Sequence, residues 1–371
     1  MDLDFTDEQF LLRDTVQAIC KEHYDLTVVR EVEKSESGYP GGYWQALVES
    51  GLTALIVPEV YGGAGMGLLD AVVMYEEVGR RLADSPHFTS SILAARAIEL
   101  FGNEQQKDQW LGAIASGESI ICVASMEAGG GYDEAGVHAQ VTAGKLSGSK
   151  TLVPFANRAT HLLVLARDAS SGEILLCLVA AGQAGLEMTR QANIASAASF
   201  KVDFRDVKVD DACLLTAQHG WPLWQEVMSF GAVVQAAQAT GGAAQSLTIA
   251  VEYSKTRVQF DKPIGAFQSL SHYMAEQAVE VEGSRTLTYQ AAWAYDRKRP
   301  WELLSAQSKL QAGDTYRSSS KIGLHIHGGL GYTAEADPQL YYRRAKMQQL
   351  LHWDSEFLER RIADLLLEPV S

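Results

Sequence analysis

The sequence predicts an α+β chain built as three successive parts: a helical segment, a small β-rich middle and a long helical C-terminal half. Three observations point there. At 371 residues the chain is too long for one simple core and is expected to divide into two or three domains. Apolar residues recur at helical spacing up to about Gly117, give way to short β-rich runs from Ser119, and return to helical spacing after Leu215. The β-rich runs are separated by Gly, Ser, Asp or Asn, whereas the helical parts carry few such breaks. The expected parts are residues 1–118, 119–215 and 216–371.

In the first part, Thr6 followed by Gln9 reads as a capping box ahead of FLLRDTVQAIC. GLLDAVVMYEEVGRRLA repeats the helical signature, and the glycine-rich VPEVYGGAGMG lies between the two as a loop. In the middle, SIICVASME, HAQVTAGKLSGSKTLVPF, HLLVLARD, EILLCLVA and FKVDFRDVKV read as an antiparallel sheet of six or more strands. In the last part, the long helical segments are residues 221–256, 268–297, 301–325 and 338–367, lengths suited to a four-helix bundle.

Composition limits what such a chain does. Apolar residues make up 47% and charged residues 21%, as in a soluble globular protein. A net charge of -15 offers no basic stripe to neutralise phosphates, which argues against nucleic acid. The opening MDLDFTDEQF is unlike a signal or transit peptide, and no apolar run approaches the roughly 20 residues that span a bilayer. Cys20, Cys122, Cys177 and Cys213 are far apart without CxxC spacing, so they are expected to be buried reduced thiols of a cytoplasmic protein.

Two motifs carry chemistry. In RVQFDKPIGAFQ, residues 257–268, Arg257 offers a rigid guanidinium fork to a phosphate oxygen and Phe260 a face for a ring. Pro263 and Gly265 are expected to make the turn, and Gln268 can reach back from the next helix. The plain alternative is a helix connection with a surface arginine. In LHIHGGLGYTAE, His325 and His327 stand two apart on a helix and so point about 200° from each other, which is wrong for a shared metal. Gly328, Gly329 and Gly331 are expected to end that helix and let backbone N–H groups approach an anion, with a simple C-cap as the alternative.

RVQFDKPIGAFQ followed by HGGLGY and a charged helix opening YYRRAK resembles the acyl-CoA dehydrogenase family. The likeness extends to the N-terminal FTDEQFLLRDTV and to FRDVKV at the close of the β-rich part. It implies the acyl-CoA dehydrogenase fold: an N-terminal helical domain, a β-barrel-like middle domain and a C-terminal four-helix bundle. It also implies an FAD flavoenzyme, dimeric or a dimer of dimers, that desaturates an acyl-CoA thioester between Cα and Cβ. A carboxylate removes the α-proton and hydride leaves the β-carbon for flavin N5.

In that family FAD is shared between subunits. The resemblance places Arg257, Gln259, Phe260 and Gln268, with His325, Gly328 and Gly329, at the pyrophosphate and adenosine end of the neighbour's FAD. His325 stands where glutamine is usual, and imidazole can still donate one hydrogen bond. The half that serves a subunit's own flavin is altered. The usual Trp-Ile-Thr-Asn strand falls on Leu152, Val153, Pro154 and Phe155, so the covering indole becomes leucine and the hydroxyl that bonds N5 becomes a proline. The Thr-Glu-Pro loop has become SMEAGGGYD.

The base position of most members falls on His352, and that of others on Gly231, next to Ala232 where an arginine near CoA is usual. Neither offers a carboxylate. His352 is a possible replacement base, with Glu356 and Glu359 one and two turns on. Asp354 and Glu356 would bring negative charge towards a pyrophosphate. The sequence thus reads as a subunit of an acyl-CoA dehydrogenase working beside a complete paralogue in a hetero-oligomer, like the two-subunit members of bacterial steroid breakdown. The alternatives are a self-sufficient homo-oligomer with a relocated base, a flavin-dependent monooxygenase on the same fold, and a non-enzymatic structural partner.

Overall fold

Thr6 begins the first helix as its spacing predicts. Its Oγ1 accepts the Gln9 amide at 3.2 Å while Gln9 Oε1 accepts the Thr6 amide at 3.2 Å, closing the capping box of α1 (Asp7–His23). The computed structural model describes residues 5–215 and 220–367. After α1 come α2 (Leu26–Val32), α3 (Gly41–Glu49), α4 (Leu68–Arg81), α5 (Ala95–Phe101) and α6 (Glu104–Ala115). Strands follow: β1 (Ile121–Ala124), β2 (Gln140–Thr142), β3 (Lys145–Pro154), β4 (His161–Asp168), β5 (Ile174–Ala180), β6 (Leu186–Arg190), β7 (Ser199–Lys208) and β8 (Leu214–Leu215). The helical half holds α7 (Gly220–Thr256), the short β9 (Val258–Gln259) and β10 (Lys262–Pro263), α8 (Gln268–Asp296), α9 (Glu302–His327), α10 (Pro338–Leu350) and α11 (Ser355–Leu367). The expected junction at 215–216 borders residues 216–219, which lie outside the described residues.

Two units interleave along the chain: Met1–Val29, Gly67–Ala83 and Ser229–Ser371 form one, and Arg30–Met66 with Asp84–Met228 the other. In the first unit helices cross closely where side chains are smallest. A Cβ added at Gly79 would lie 2.0 Å from the Gln238 carbonyl oxygen, and one at Gly241 would lie 1.9 Å from that of Glu76. The core hydroxyls are paired, as buried polar groups must be: Thr240 with Ser284 at 2.7 Å, and Ser305 Oγ donating to the Ser229 carbonyl at 2.7 Å. Burial alone would raise the Glu76 carboxyl, but Arg285, Tyr289 and Arg80 surround it and hold it below its ordinary range.

Two expectations about this unit need correction. Residues 338–367 are not one helix. The chain leaves α10 after Leu350 and re-enters as α11 at Ser355, with His352 and Trp353 between them at φ 52° and 74°. No glycine or proline marks this break; the buried Trp353 anchors it. The turn of residues 257–268 is made by Phe260 and Asp261, at φ 53° and 61°, and not by Pro263 and Gly265. Gln259 pairs with Lys262 across it.

The second unit holds an eight-stranded sheet in the order β6-β7-β3-β2-β4-β5-β8, with β1 against β4. The expected antiparallel sheet is in fact mixed, since β4 runs parallel to both β1 and β2. Parallel pairing needs a long return connection, and the 36 residues between β1 and β4 supply it. Alternating hydrophobicity does not reveal that choice. β5 is buried along nearly its whole length and β4 through its middle, as central strands are. Cys20, Cys122 and Cys177 are buried as expected, whereas Cys213 is only half-buried. Among the described residues no helix is long and apolar enough to cross a membrane.

Candidate functional site

The residues expected to meet a dinucleotide come together at one end of the helical unit. Ala250 near the end of α7, Ile264 after the hairpin, Met274 on α8 and Ile326 at the end of α9 share one apolar cluster with Tyr253 and Phe267. The Tyr253 ring stacks on His327, with centroids 4.0 Å apart and planes 22° apart, and His327 Nδ1 donates to the Gly323 carbonyl at 2.8 Å. That packing joins the hairpin to the glycine turn. Sequence reading passed over Tyr253, because nothing local marks an aromatic whose partner lies on another helix.

Around this cluster the polar groups face outward. Arg257, Gln259, Phe260, Gln268, His325, Gly328 and Gly329 are all exposed. Phe260 is 86% exposed at the turn tip, and Leu330 and Tyr332 beside the glycines are 59% and 71% exposed. Gly328 ends α9 at φ 61°, ψ -142°, a conformation closed to other residues. No atom lies within 4 Å of where a Cβ would sit on Gly328 or Gly329. An unpaired guanidinium, two amide side chains and an open glycine backbone fit an anionic dinucleotide tail. The histidines form no metal site; among the described residues no group of three or more metal-ligating side chains is assembled.

The strand expected to meet a flavin ring is built differently. Leu152 bulges from β3 at φ 52°, within the register shift between Lys150 and Val153. Its amide donates to Gln191 Oε1 at 2.7 Å, and the Thr151 hydroxyl also bonds that side chain. The Phe155 amide donates to the Ala198 carbonyl at 2.9 Å, its ring packs edge-on against Tyr39, and Pro154 has no amide proton. The donors here are absent or committed, so these residues do not fit a flavin ring that needs a hydrogen bond at N5. Gln191, some forty residues along the chain, carried no local signal for this role.

The neighbouring SMEAGGGYD loop is pinned by a buried ion pair. Lys150 Nζ meets Glu127 Oε1 at 2.6 Å, and the same carboxylate accepts the His138 and Ala139 amides at 3.1 and 3.0 Å. Burial pulls the Lys150 ammonium below its ordinary range against the pull of Glu127. The glutamate of the loop is therefore structural.

Neither base position regains a carboxylate. Gly231 is buried within α7. His352 sits in the break between α10 and α11, where burial and the Lys309 charge hold its imidazole down at about 3. A group so weakly basic is a poor acceptor for an α-proton. The break also means that Glu356 and Glu359, on α11, do not continue the helix α10 that leads to position 352. Asp354 Oδ1 accepts the Phe357 amide at 2.9 Å and so caps α11. Glu356 is exposed.

Known proteins share this architecture. Residues 6–118 match the model of the acyl-CoA dehydrogenase N-terminal domain, and residues 218–367 that of the acyl-CoA dehydrogenase C-terminal domain. The chain is 30% identical over 372 residues to the mitochondrial short-chain specific acyl-CoA dehydrogenase of Rattus norvegicus, covering 96% of this chain and 89% of the relative. Among solved structures, the ChsE4-ChsE5 complex from Mycobacterium tuberculosis superposes with a TM-score of 0.90 at 28% identity, covering 100% of both chains. A variant of the Tcur3481-Tcur3483 steroid ACAD gives a TM-score of 0.87 at 28% identity over 98% of each chain. The chain is thus a member of the acyl-CoA dehydrogenase family, flavoprotein oxidoreductases that use FAD and act on CH–CH groups.

Proposed function

We propose that this chain is one subunit of a two-subunit acyl-CoA dehydrogenase and lends its hairpin and glycine turn to the FAD of a catalytically complete paralogue. The observation that carries the reading is a contrast within one chain. The Arg257, Gln259 and Gln268 side chains are exposed and unpaired and the Gly328 and Gly329 backbone is exposed, whereas both base positions lack a carboxylate and the flavin strand lacks a free donor. Bound FAD supplies the acceptor for the hydride that leaves the β-carbon of the acyl-CoA. In the partner's pocket, Arg257 would bind the pyrophosphate as a charged fork, and the glycine backbone would approach it without a side chain in the way. Gln259 and Gln268 would orient the adenosine end, and the Phe260 ring would shield it from water. None of these groups moves a proton; the α-proton goes to a base on the partner.

The ChsE4-ChsE5 complex and the steroid ACAD among the structural relatives support both a paired assembly and an acyl-CoA with a steroid-derived acyl group. The test is flavin content. Purified alone, the chain is expected to hold far less than one FAD per chain, and co-expression with the neighbouring paralogue is expected to yield a yellow complex that desaturates acyl-CoA. A fully flavinated chain that turns over acyl-CoA by itself overturns the reading. A self-sufficient enzyme with His352 as base would lose turnover, but keep its flavin, on His352→Ala.

A further inference from the structure

The break between α10 and α11 is held in place by groups that no part of the proposed FAD chemistry uses. Lys309, on α9, is 2% exposed, and its Nζ donates to the main-chain carbonyl of Gln348 at 2.7 Å. Gln348 lies in the last turn of α10, where carbonyls lack intrahelical partners and a cation is favoured. From the same helix, Asp314 Oδ1 accepts the side-chain amide of Gln349 at 3.3 Å, and that amide also meets Ser355 Oγ at 3.2 Å. The far side of the break is held by Trp353. The Arg361 guanidinium lies 4.8 Å from its ring centroid, and Arg361 Nη2 reaches Ser229 Oγ at 3.5 Å.

Between these two fastenings, His352 and Trp353 take left-handed backbone conformations that bulky side chains rarely adopt. Such a conformation persists only where its surroundings over-determine it. Lys309 is itself costly to bury, since burial draws its ammonium down to about 8.

We propose that Lys309 is the positioning residue of this junction: by fastening the Gln348 carbonyl it fixes the left-handed turn at His352 and Trp353. Besides Lys309, the flanking elements also carry Asp314 and Arg317 on α9, Arg343, Arg344 and Lys346 on α10, Asp354 in the junction, and Glu356, Glu359, Arg360, Arg361 and Asp364 on α11. Among all of these, Lys309 is the one whose charge acts on His352. The inference draws on the half-site reading only in equating His352 with the family's base position. Its test reads the junction itself, not flavin content, so the two stand or fall separately.

The experiment uses the full chain labelled with ¹³C-histidine, its His352 resonance assigned with His352→Gln. In the wild type that resonance is expected to stay neutral down to about pH 4. In Lys309→Met, which keeps much of the buried volume, it is expected to begin protonating at least about one pH unit higher. Thermal unfolding supplies the second readout. Lys309→Met is expected to lower Tm, and adding His352→Gly to recover half or more of the loss, because glycine takes positive φ freely. Equal titration in wild type and Lys309→Met, or no recovery by glycine, overturns the proposal. If Lys309→Met does not accumulate as folded protein, the other chains decide. A wild-type His352 titrating near its ordinary 6.5, or a His352→Gly chain with a lower Tm than wild type, overturns it; a neutral His352 together with a higher Tm for His352→Gly supports it.

Discussion

The tip formed by residues 257–268 and the glycine turn differs from the strand at residues 152–155 in where its hydrogen-bonding groups go. At the tip, Arg257, Gln259 and Gln268 are exposed, and Gly328 presents bare backbone to open space. In the strand, the Leu152 and Phe155 amides are taken by Gln191 and Ala198, and Pro154 has none. Groups that are to bind something outside the chain must be left unpaired within it and wetted by solvent until then. Groups that bind nothing outside are free to be absorbed into the fold, where an unmet donor would cost about 1–3 kcal/mol. The same sequence follows the first course in one region and the second in the other, which is what a chain that holds a neighbour's cofactor would show.

Four measurements break or sharpen that contrast, the largest expected effect first. Two histidines away from the tip, the buried His87 and the part-buried His352, are held neutral. Burial holds His87, whose Nε2 donates to the Leu52 carbonyl, at about 4, and His352 at about 3. Both lie below their unfolded value, so the unfolded chain takes up protons first as pH falls. The stability they give is fully present above about 6.5 and is lost as pH drops through 4 and then 3, with His87 alone accounting for about 3 kcal/mol. Urea midpoints between pH 7 and pH 4 measure this, and His87→Gln is expected to flatten the slope. Next, Arg257→Ala is expected to weaken FAD retention by the paired complex about 10–100-fold, the worth of one charge-assisted bond. Flavin absorbance after dialysis reads it, and unchanged retention would remove the tip from the cofactor. Gly328→Ala forces a side chain into a left-handed backbone and is expected to cost about 1–2 kcal/mol, seen as a lower Tm with a matching loss of flavin. Last, His352→Gln is expected to leave turnover of the complex unchanged; abolished turnover with flavin still bound would show a relocated base.

The capping box at Thr6 and the end of α9 at Gly328 were legible because each depends on residues within a few positions of one another. The exposed character of the tip was legible for the same reason: arginine, glutamine and paired glycines announce their chemistry locally. The turn itself was not. Phe-Asp is an uncommon choice for two positive-φ residues, so proline and glycine drew the reading towards Pro263 and Gly265 instead. The break at His352 and Trp353 was hidden likewise, since its cause is Lys309 and Arg361 on other turns and other helices. The committed state of Leu152 depends on Gln191, whose side chain is brought there by the sheet.

By itself, the sequence determined which parts are helical and which β-rich, where some elements start and stop, and which residue types are on offer for a phosphate or a proton. Periodicity, caps and glycines act over one or two turns, and a linear reading reaches that far. Tertiary structure alone decided that β4 pairs in parallel with β1 and β2, that Tyr253 on His327 brings the two motifs to one end, and that Lys309 shapes the turn carrying His352. Each of these joins residues far apart in the chain, where free energy depends on what packing brings near, and no local pattern encodes that partner.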